Sequence, residues 1–183
     1  MKTTAVLGID LQKGLFETEP LPFRVEEVSH NIRRILESAR ENGYKVFMIQ
    51  HCEPPERGNL NPATEPWTIC DQFLSVDSET VIHKEYPNSF KETDLELMLR
   101  GEGIDKLIIC GMESENCIQA TAAEAVGLKF RVIVAGDAHT TSFLNNKDGL
   151  KTISEVNKNL EIKGVLIKKT EEICKELNKD LHV

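Results

Sequence analysis

The sequence predicts an α/β protein, a mostly parallel β-sheet with helices on both faces. Six short runs are apolar almost throughout, as strands buried on both faces require: 4–10 (TAVLGID), 45–51 (KVFMIQH), 80–84 (TVIHK), 106–112 (KLIICGM), 131–137 (RVIVAGD) and 164–169 (GVLIKK). Helical patterns alternate with these runs, which calls for parallel crossovers rather than hairpins. The 183 residues, 40% hydrophobic and 28% charged, have an ordinary globular composition and suffice for one full core but not two. One domain over 1–183 is expected.

Taken in order, the first strand leads to a helix at 25–42 (VEEVSHNIRRILESAREN), closed by Gly43. The second strand runs into residues 52–79, which hold four of the seven prolines and the only tryptophan and show no period. A segment that long without its own structure suits a lid or pocket wall. After the third strand come helices at 92–100, ending before Gly101, and at 114–126, closed by Gly127, flanking the fourth strand. Glycine just past a helix is an expected stop. Helices at 146–160 and 170–180 bracket the sixth strand; the second, in KKTEEICKELNKDL, reads as an amphipathic, solvated helix.

A net charge of −8 argues against nucleic-acid or anionic-membrane surfaces, both of which need clustered Lys and Arg. The N-terminal apolar stretch is interrupted by Asp10, too early for a signal peptide, and no run is long enough to span a bilayer. Five cysteines, an odd number without a CxxC pair, suit free thiols in a reducing cytoplasm better than a disulfide framework. No GxGxxG or GxxxxGK[ST] motif follows a strand, which weakens a nucleotide-binding reading.

Parallel sheets bind ligands beyond the carboxyl ends of their strands. Asp10 closes the first strand, Lys84 the third, and Cys117 lies in the first turn of the helix after the fourth. Each has a plain structural alternative: a core thiol, a turn-forming aspartate, a solvated strand end. Together they form a coherent set. A thiol is mostly protonated at neutral pH, and a cation or helix start lowers its pKa. Lys84 supplies the cation, and Asp10 is an acid able to take the thiol proton and return it to a leaving amine. Backbone N–H groups near 113–117 are candidates to hold an oxyanion. Asp137 is expected to fix the loop after the fifth strand and His139 to hydrogen-bond within it. Cys110 reads as core, and Cys70 and Cys174 as structural or incidental.

GIDLQKGLF around Asp10, VIHKEYPNSF around Lys84 and IICGMESENCIQATAAEAVGLKFRVIVAGDA around Cys117 together resemble the isochorismatase-like cysteine hydrolases, which include nicotinamidases and N-carbamoylsarcosine amidases. The resemblance covers roughly 3–160. It implies a Rossmann-like α/β/α sandwich around a six-stranded, mainly parallel sheet. It also implies an Asp10–Lys84–Cys117 triad, a cis peptide at Met112–Glu113, and an oxyanion hole from the N–H groups of Glu113 and Cys117. The expected reaction is cleavage of a C–N bond in a small amide, carbamoyl or ureido substrate, by a homodimer or homotetramer. No cofactor is expected. The metal motif of nicotinamidases has no counterpart in MIQHCEPPERGN, and His51 and Cys52, adjacent on a strand, point to opposite faces. Leu15, Phe16, Trp67 and Phe90 are apolar candidates for the pocket wall. A non-catalytic binding or redox-sensing module on the same scaffold is the alternative.

Overall fold

In the computed structural model, which describes residues 3–56, 58–74, 76, 79–142 and 148–179, the six apolar runs form one sheet in the order β3-β2-β1-β4-β5-β6. The strands are β1 (Thr4–Ile9), β2 (Lys45–His51), β3 (Thr80–Lys84), β4 (Lys106–Met112), β5 (Arg131–Thr140) and β6 (Leu166–Lys168), and every neighbouring pair is parallel. The helices are α1 (Lys13–Phe16), α2 (Val25–Glu41), α3 (Leu95–Gly101), α4 (Gln119–Gly127), α5 (Gly149–Ile162) and α6 (Thr170–Lys179).

Side chains alternate across the sheet, so near-continuous apolar strands feed two cores. On one face Val6, Val46, Met48, Ile108 and Ile133 pack with Ile32, Ile35 and Leu36 of α2 and with Ile173 and Leu177 of α6. On the other, Leu7, Phe47, Ile49, Leu107, Ile109 and Val134 meet Leu95 and Leu99 of α3, Ala122 and Ala125 of α4, and Val156 and Leu160 of α5. The expected three-layer α/β/α arrangement is therefore present. Each fully buried Leu or Ile in these layers contributes about 1.5–3 kcal/mol relative to exposure.

Several element ends differ from the pattern reading. Gly43, with φ +67°, turns the chain left-handed after α2 as expected. Helices α3 and α4, however, run through Gly101 and Gly127, and the left-handed residues are Gly103 (φ 69°) and Lys129 (φ 68°). Strand β5 continues past Asp137 to Thr140, because a register shift between Ile109 and Gly111 lets His139 and Thr140 pair with Gly111 and Met112. Asp137 consequently lies within β5. Its Oδ1 accepts from Thr170 N and Oγ1, both at 2.8 Å, and so holds the start of α6 rather than a loop after β5.

The chain leaves β1 towards β2 on one side, while β4 is added on the other, so β1 and β4 flank the switch point where parallel sheets form ligand crevices. Gly111 lies here with φ +126°, and a Cβ on it would stand 2.0 Å from Ile9 O. Relief requires β1 and β4 to part. Gly111→Ala is expected to destabilise the protein by at least about 3 kcal/mol, within the range reached when strain and backbone clash combine; urea unfolding measures it.

The long segment after β2 contains two 3-10 turns, Glu65–Trp67 and Asp71–Phe73. It is tied to the strand ends by backbone bonds from Lys13 N to Thr68 O (2.9 Å) and from Cys70 N to Leu11 O (2.9 Å). The buried Gln12 donates from Nε2 to Trp67 O at 2.8 Å and to His51 O at 3.0 Å, and Gln50 Nε2 also donates to Trp67 O at 2.7 Å. No helix among the described residues is long and apolar enough to cross a membrane.

Candidate active site

Three elements bring the side chains of Asp10, Lys84 and Cys117 together. Asp10 follows β1 in the left-handed region (φ 54°), anchored by its N–H to Ile49 O at 2.8 Å. Lys84 is the last residue of β3 and reaches past β2 from a fully buried position. Its Nζ donates to Asp10 Oδ2 at 2.8 Å and to Cys117 Sγ at 3.2 Å. Cys117 follows β4 and the Met112–Glu113 peptide, which is cis.

The local structure at Cys117 departs from the expected continuous helix. Ser114–Ile118 form a π-helical turn, closed by Ile118 N bonding back to Glu113 O at 3.0 Å, and the α-helix proper begins at Gln119. Such one-turn widenings of a helix recur at functional sites.

Burial sets the charge states. It opposes the charge on Lys84, but Asp10 and then Cys117 outweigh it and raise the ammonium's pKa. For Cys117, burial first and the Asp10 charge second push the thiol up, against the opposing pull of Lys84. The expectation that Lys84 keeps a thiolate populated is therefore reversed for the resting site. With Asp10 and Lys84 ionised the buried cluster is neutral, and a thiolate would leave it negative in a poorly solvated place. Transfer of the thiol proton to Asp10 keeps the cluster neutral while freeing the sulfur. Asp10 Oδ1 is buried and has no hydrogen-bond partner among the described residues.

Behind the turn, His139 is buried between Ser114 and Asn157. Asn157 Nδ2 donates to Gly136 O at 3.4 Å, so its Oδ1 faces His139 Nε2, at 2.8 Å. Nε2 therefore donates, and Nδ1 accepts from the Ser114 hydroxyl at 2.7 Å. His139 thus hydrogen-bonds as expected, but from within β5 rather than from a loop after it, and it braces the turn that carries Cys117. Burial lowers the imidazole from 6.5 to about 4. A histidine depressed in the folded state stabilises fully above its unfolded pKa and loses that stability as pH falls through 6.5 towards 4. Between pH 7 and pH 5 this group alone removes about 2 kcal/mol. His139→Gln should flatten that acid limb in unfolding measurements.

A cavity of about 270 Å³ opens over Cys117, lined by Asp10, Leu15, His51, Glu53, Leu60, Pro87, Glu113, Asn116 and Cys117. Of the apolar candidates, only Leu15 is on this wall. Phe16 is buried in the core edge-on to Phe73, with ring centres 5.4 Å apart. Phe90 packs on the other core and stacks with Phe130 at 6.0 Å. Trp67 lies edge-on to His83 at 5.2 Å, and its Nε1 donates to Cys52 Sγ at 3.4 Å. Aromatic rings near the rim are drawn into packing, while the irregular chain supplies the wall. Glu53, Leu60, Pro87 and Asn116 carried no sequence signal beyond their place near strand ends.

His51 and Cys52 diverge as neighbours on a strand do: His51 lines the Cys117 cavity, and Cys52 lines a second one, about 180 Å³, with His83 and Tyr86. Burial and then Lys84 lower the His51 pKa, and His51 Nδ1 is buried without a partner among the described residues.

Residues 4–156 match the isochorismatase domain family. An isochorismatase family protein of Bacillus subtilis, YddQ, itself uncharacterized, is 35% identical over 160 residues, covering 85% of this chain and 87% of its own. The N-carbamoylsarcosine amidase of an Arthrobacter species is 31% identical over 151 residues, 71% of this chain and 56% of its own. A crystal structure described as a putative isochorismatase hydrolase from Oleispira antarctica superposes with a TM-score of 0.85 at 26% identity, covering 94% and 96% of the two chains. The fold and its switch-point crevice thus define an isochorismatase-like α/β hydrolase. The chain belongs to the isochorismatase family.

Proposed function

We propose that this hydrolase cleaves the C–N bond of a small amide, carbamoyl or ureido substrate through a thioester on Cys117. The observation that carries the reading is the single ammonium of Lys84 shared at 2.8 Å by Asp10 and at 3.2 Å by Cys117. As substrate enters, Asp10 takes the thiol proton and the sulfur attacks the carbonyl carbon. The tetrahedral oxyanion lies against the backbone of the turn that carries the N–H groups of Glu113 and Cys117. Asp10 then passes its proton to the nitrogen, the C–N bond breaks, and ammonia or an amine leaves. Water attacks the thioester, giving its proton to Asp10 and its oxygen to the acyl carbon. As the C–S bond breaks, that proton returns to the sulfur. The proton balance closes on Asp10 and Cys117, with Lys84 holding their charge.

The amidase activity in the name of the Arthrobacter relative is in keeping with this reading. A redox-sensing role fits less well, since sensor thiols are low-pKa and accessible, whereas burial raises Cys117. The test is a set of small primary amides and ureides assayed for ammonia, repeated with hydroxylamine present. Hydroxamate formed in step with ammonia supports an acyl-thioester. Hydrolysis restricted to a vinyl ether, with every amide untouched, would overturn the reading.

A further inference from the structure

We propose that His51 is a further catalytic residue, in direct contact with the substrate: its Nε2–H donates a hydrogen bond to a carbonyl oxygen of the amide-like molecule held over Cys117. The inference rests on the C–N hydrolase reading and adds a residue to it. Along the rim of the sheet Lys84 closes β3, His51 closes β2, Asp10 follows β1 and Cys117 follows β4. His51 and Lys84 are register partners across β2 and β3. The imidazole lines the same cavity of about 270 Å³ as Asp10 and Cys117. The buried Gln12 fixes the backbone beneath it, accepting through Oε1 from His51 N at 2.8 Å and donating from Nε2 to His51 O at 3.0 Å. A side chain on so fixed a base is in place before substrate arrives.

Among the described residues the hydrogen bonds of His51 run through its backbone, and none reaches the ring. Nδ1 is buried and has no partner. His139, whose part is to brace a turn, has both ring nitrogens bonded, to Ser114 and Asn157. Burial first and Lys84 second lower the His51 pKa, against Asp10, Glu53 and Glu85, so the ring is uncharged at neutral pH. An uncharged imidazole carries one proton. On Nδ1 that proton would be a buried donor without an acceptor, and the Lys84 charge disfavours it further. The proton therefore belongs on Nε2, the nitrogen that a molecule in the cavity can reach. A neutral imidazole N–H polarises a carbonyl while keeping its proton, so Asp10 remains the proton carrier.

The first test needs no turnover. The full chain, with its histidines ¹⁵N-labelled, is alkylated at alkaline pH with iodoacetamide, which leaves a primary amide on Cys117, or with iodoethane, which leaves none. Peptide mass mapping verifies the adduct. Long-range proton–nitrogen NMR spectra report the tautomer of each ring, and the His51 signals are assigned by their loss in His51→Gln. His51 should carry its proton on Nε2, and that resonance should move further with the tethered amide than with the tethered ethyl group. The difference should disappear in Cys117→Ala treated in the same way. A proton on Nδ1, or a His51 ring that responds equally to the two adducts, overturns the proposal.

The second test uses the amides and ureides assayed for ammonia. His51→Leu should lower kcat/KM by about tenfold or more, the scale of one lost hydrogen bond, with little change in urea unfolding. His51→Gln, whose side-chain amide can place an N–H where Nε2 stood, should recover most of that loss, which a packing role would not produce. Wild-type kcat/KM in a folded His51→Leu overturns the proposal and leaves C–N hydrolysis standing. If no amide or ureide releases ammonia, the hydrolase reading is what suffers, and the tethered-amide spectra still decide whether the ring meets an amide.

Discussion

Cys117→Ala is expected to remain folded and to lose amide hydrolysis by at least about 10³-fold, the scale on which removal of a nucleophile acts. The sulfur is the only side-chain atom in the proposed mechanism that bonds to the acyl carbon, and neither Asp10 nor Lys84 takes that part. The substitution deletes one half-buried atom from the edge of a core, so thermal unfolding should shift little. Wild-type turnover by Cys117→Ala on an amide, with the fold intact, would sink the mechanism. The same site explains why resting Cys117 should alkylate slowly at neutral pH. Burial and Asp10 raise the thiol, so its reaction with iodoacetamide should still be rising above pH 8.5, where a free thiol is half ionised.

Lys84→Met should be more damaging to the fold. Lys84 and Asp10 are 2% and 1% exposed, and removing the ammonium leaves a carboxylate buried with no opposite charge. Breaking a buried pair in this way costs about 3–5 kcal/mol, and activity should vanish with it. Pairing Lys84→Met with Asp10→Asn removes the orphaned charge, so urea unfolding should show most of the lost stability recovered while activity stays absent. If the double variant were no more stable than Lys84→Met, electrostatic compensation would not be what holds these two residues inside the sheet.

Much of the sheet was legible because a strand buried on both faces leaves a continuous apolar run. The first four strands end within a residue of where those runs end. Strand β5 overran its pattern because His139 and Thr140 are polar yet buried, a combination set by Ser114, Asn157 and Phe23 O, which lie far away in sequence. That Asp10, Lys84 and Cys117 would lie together was legible because strand ends in a parallel sheet converge on one rim. The π-helical turn at Ser114–Ile118 was illegible, since it depends on how Glu113 leaves β4. The pocket wall was misread for a physical reason: Phe16 and Phe90 are large enough that burial in a core outweighs any role at a rim.

Gln12 and Gln50 fasten the segment after β2 at Trp67 O, while Asp10, Lys84 and Cys117 stand on or beside β1, β3 and β4. The segment that follows β2 thus furnishes Glu53 and Leu60 to the cavity and adds no member to the Asp10–Lys84–Cys117 cluster. A change of length or charge there would reshape the cavity wall while the Asp10–Lys84–Cys117 cluster stayed in place on its strands.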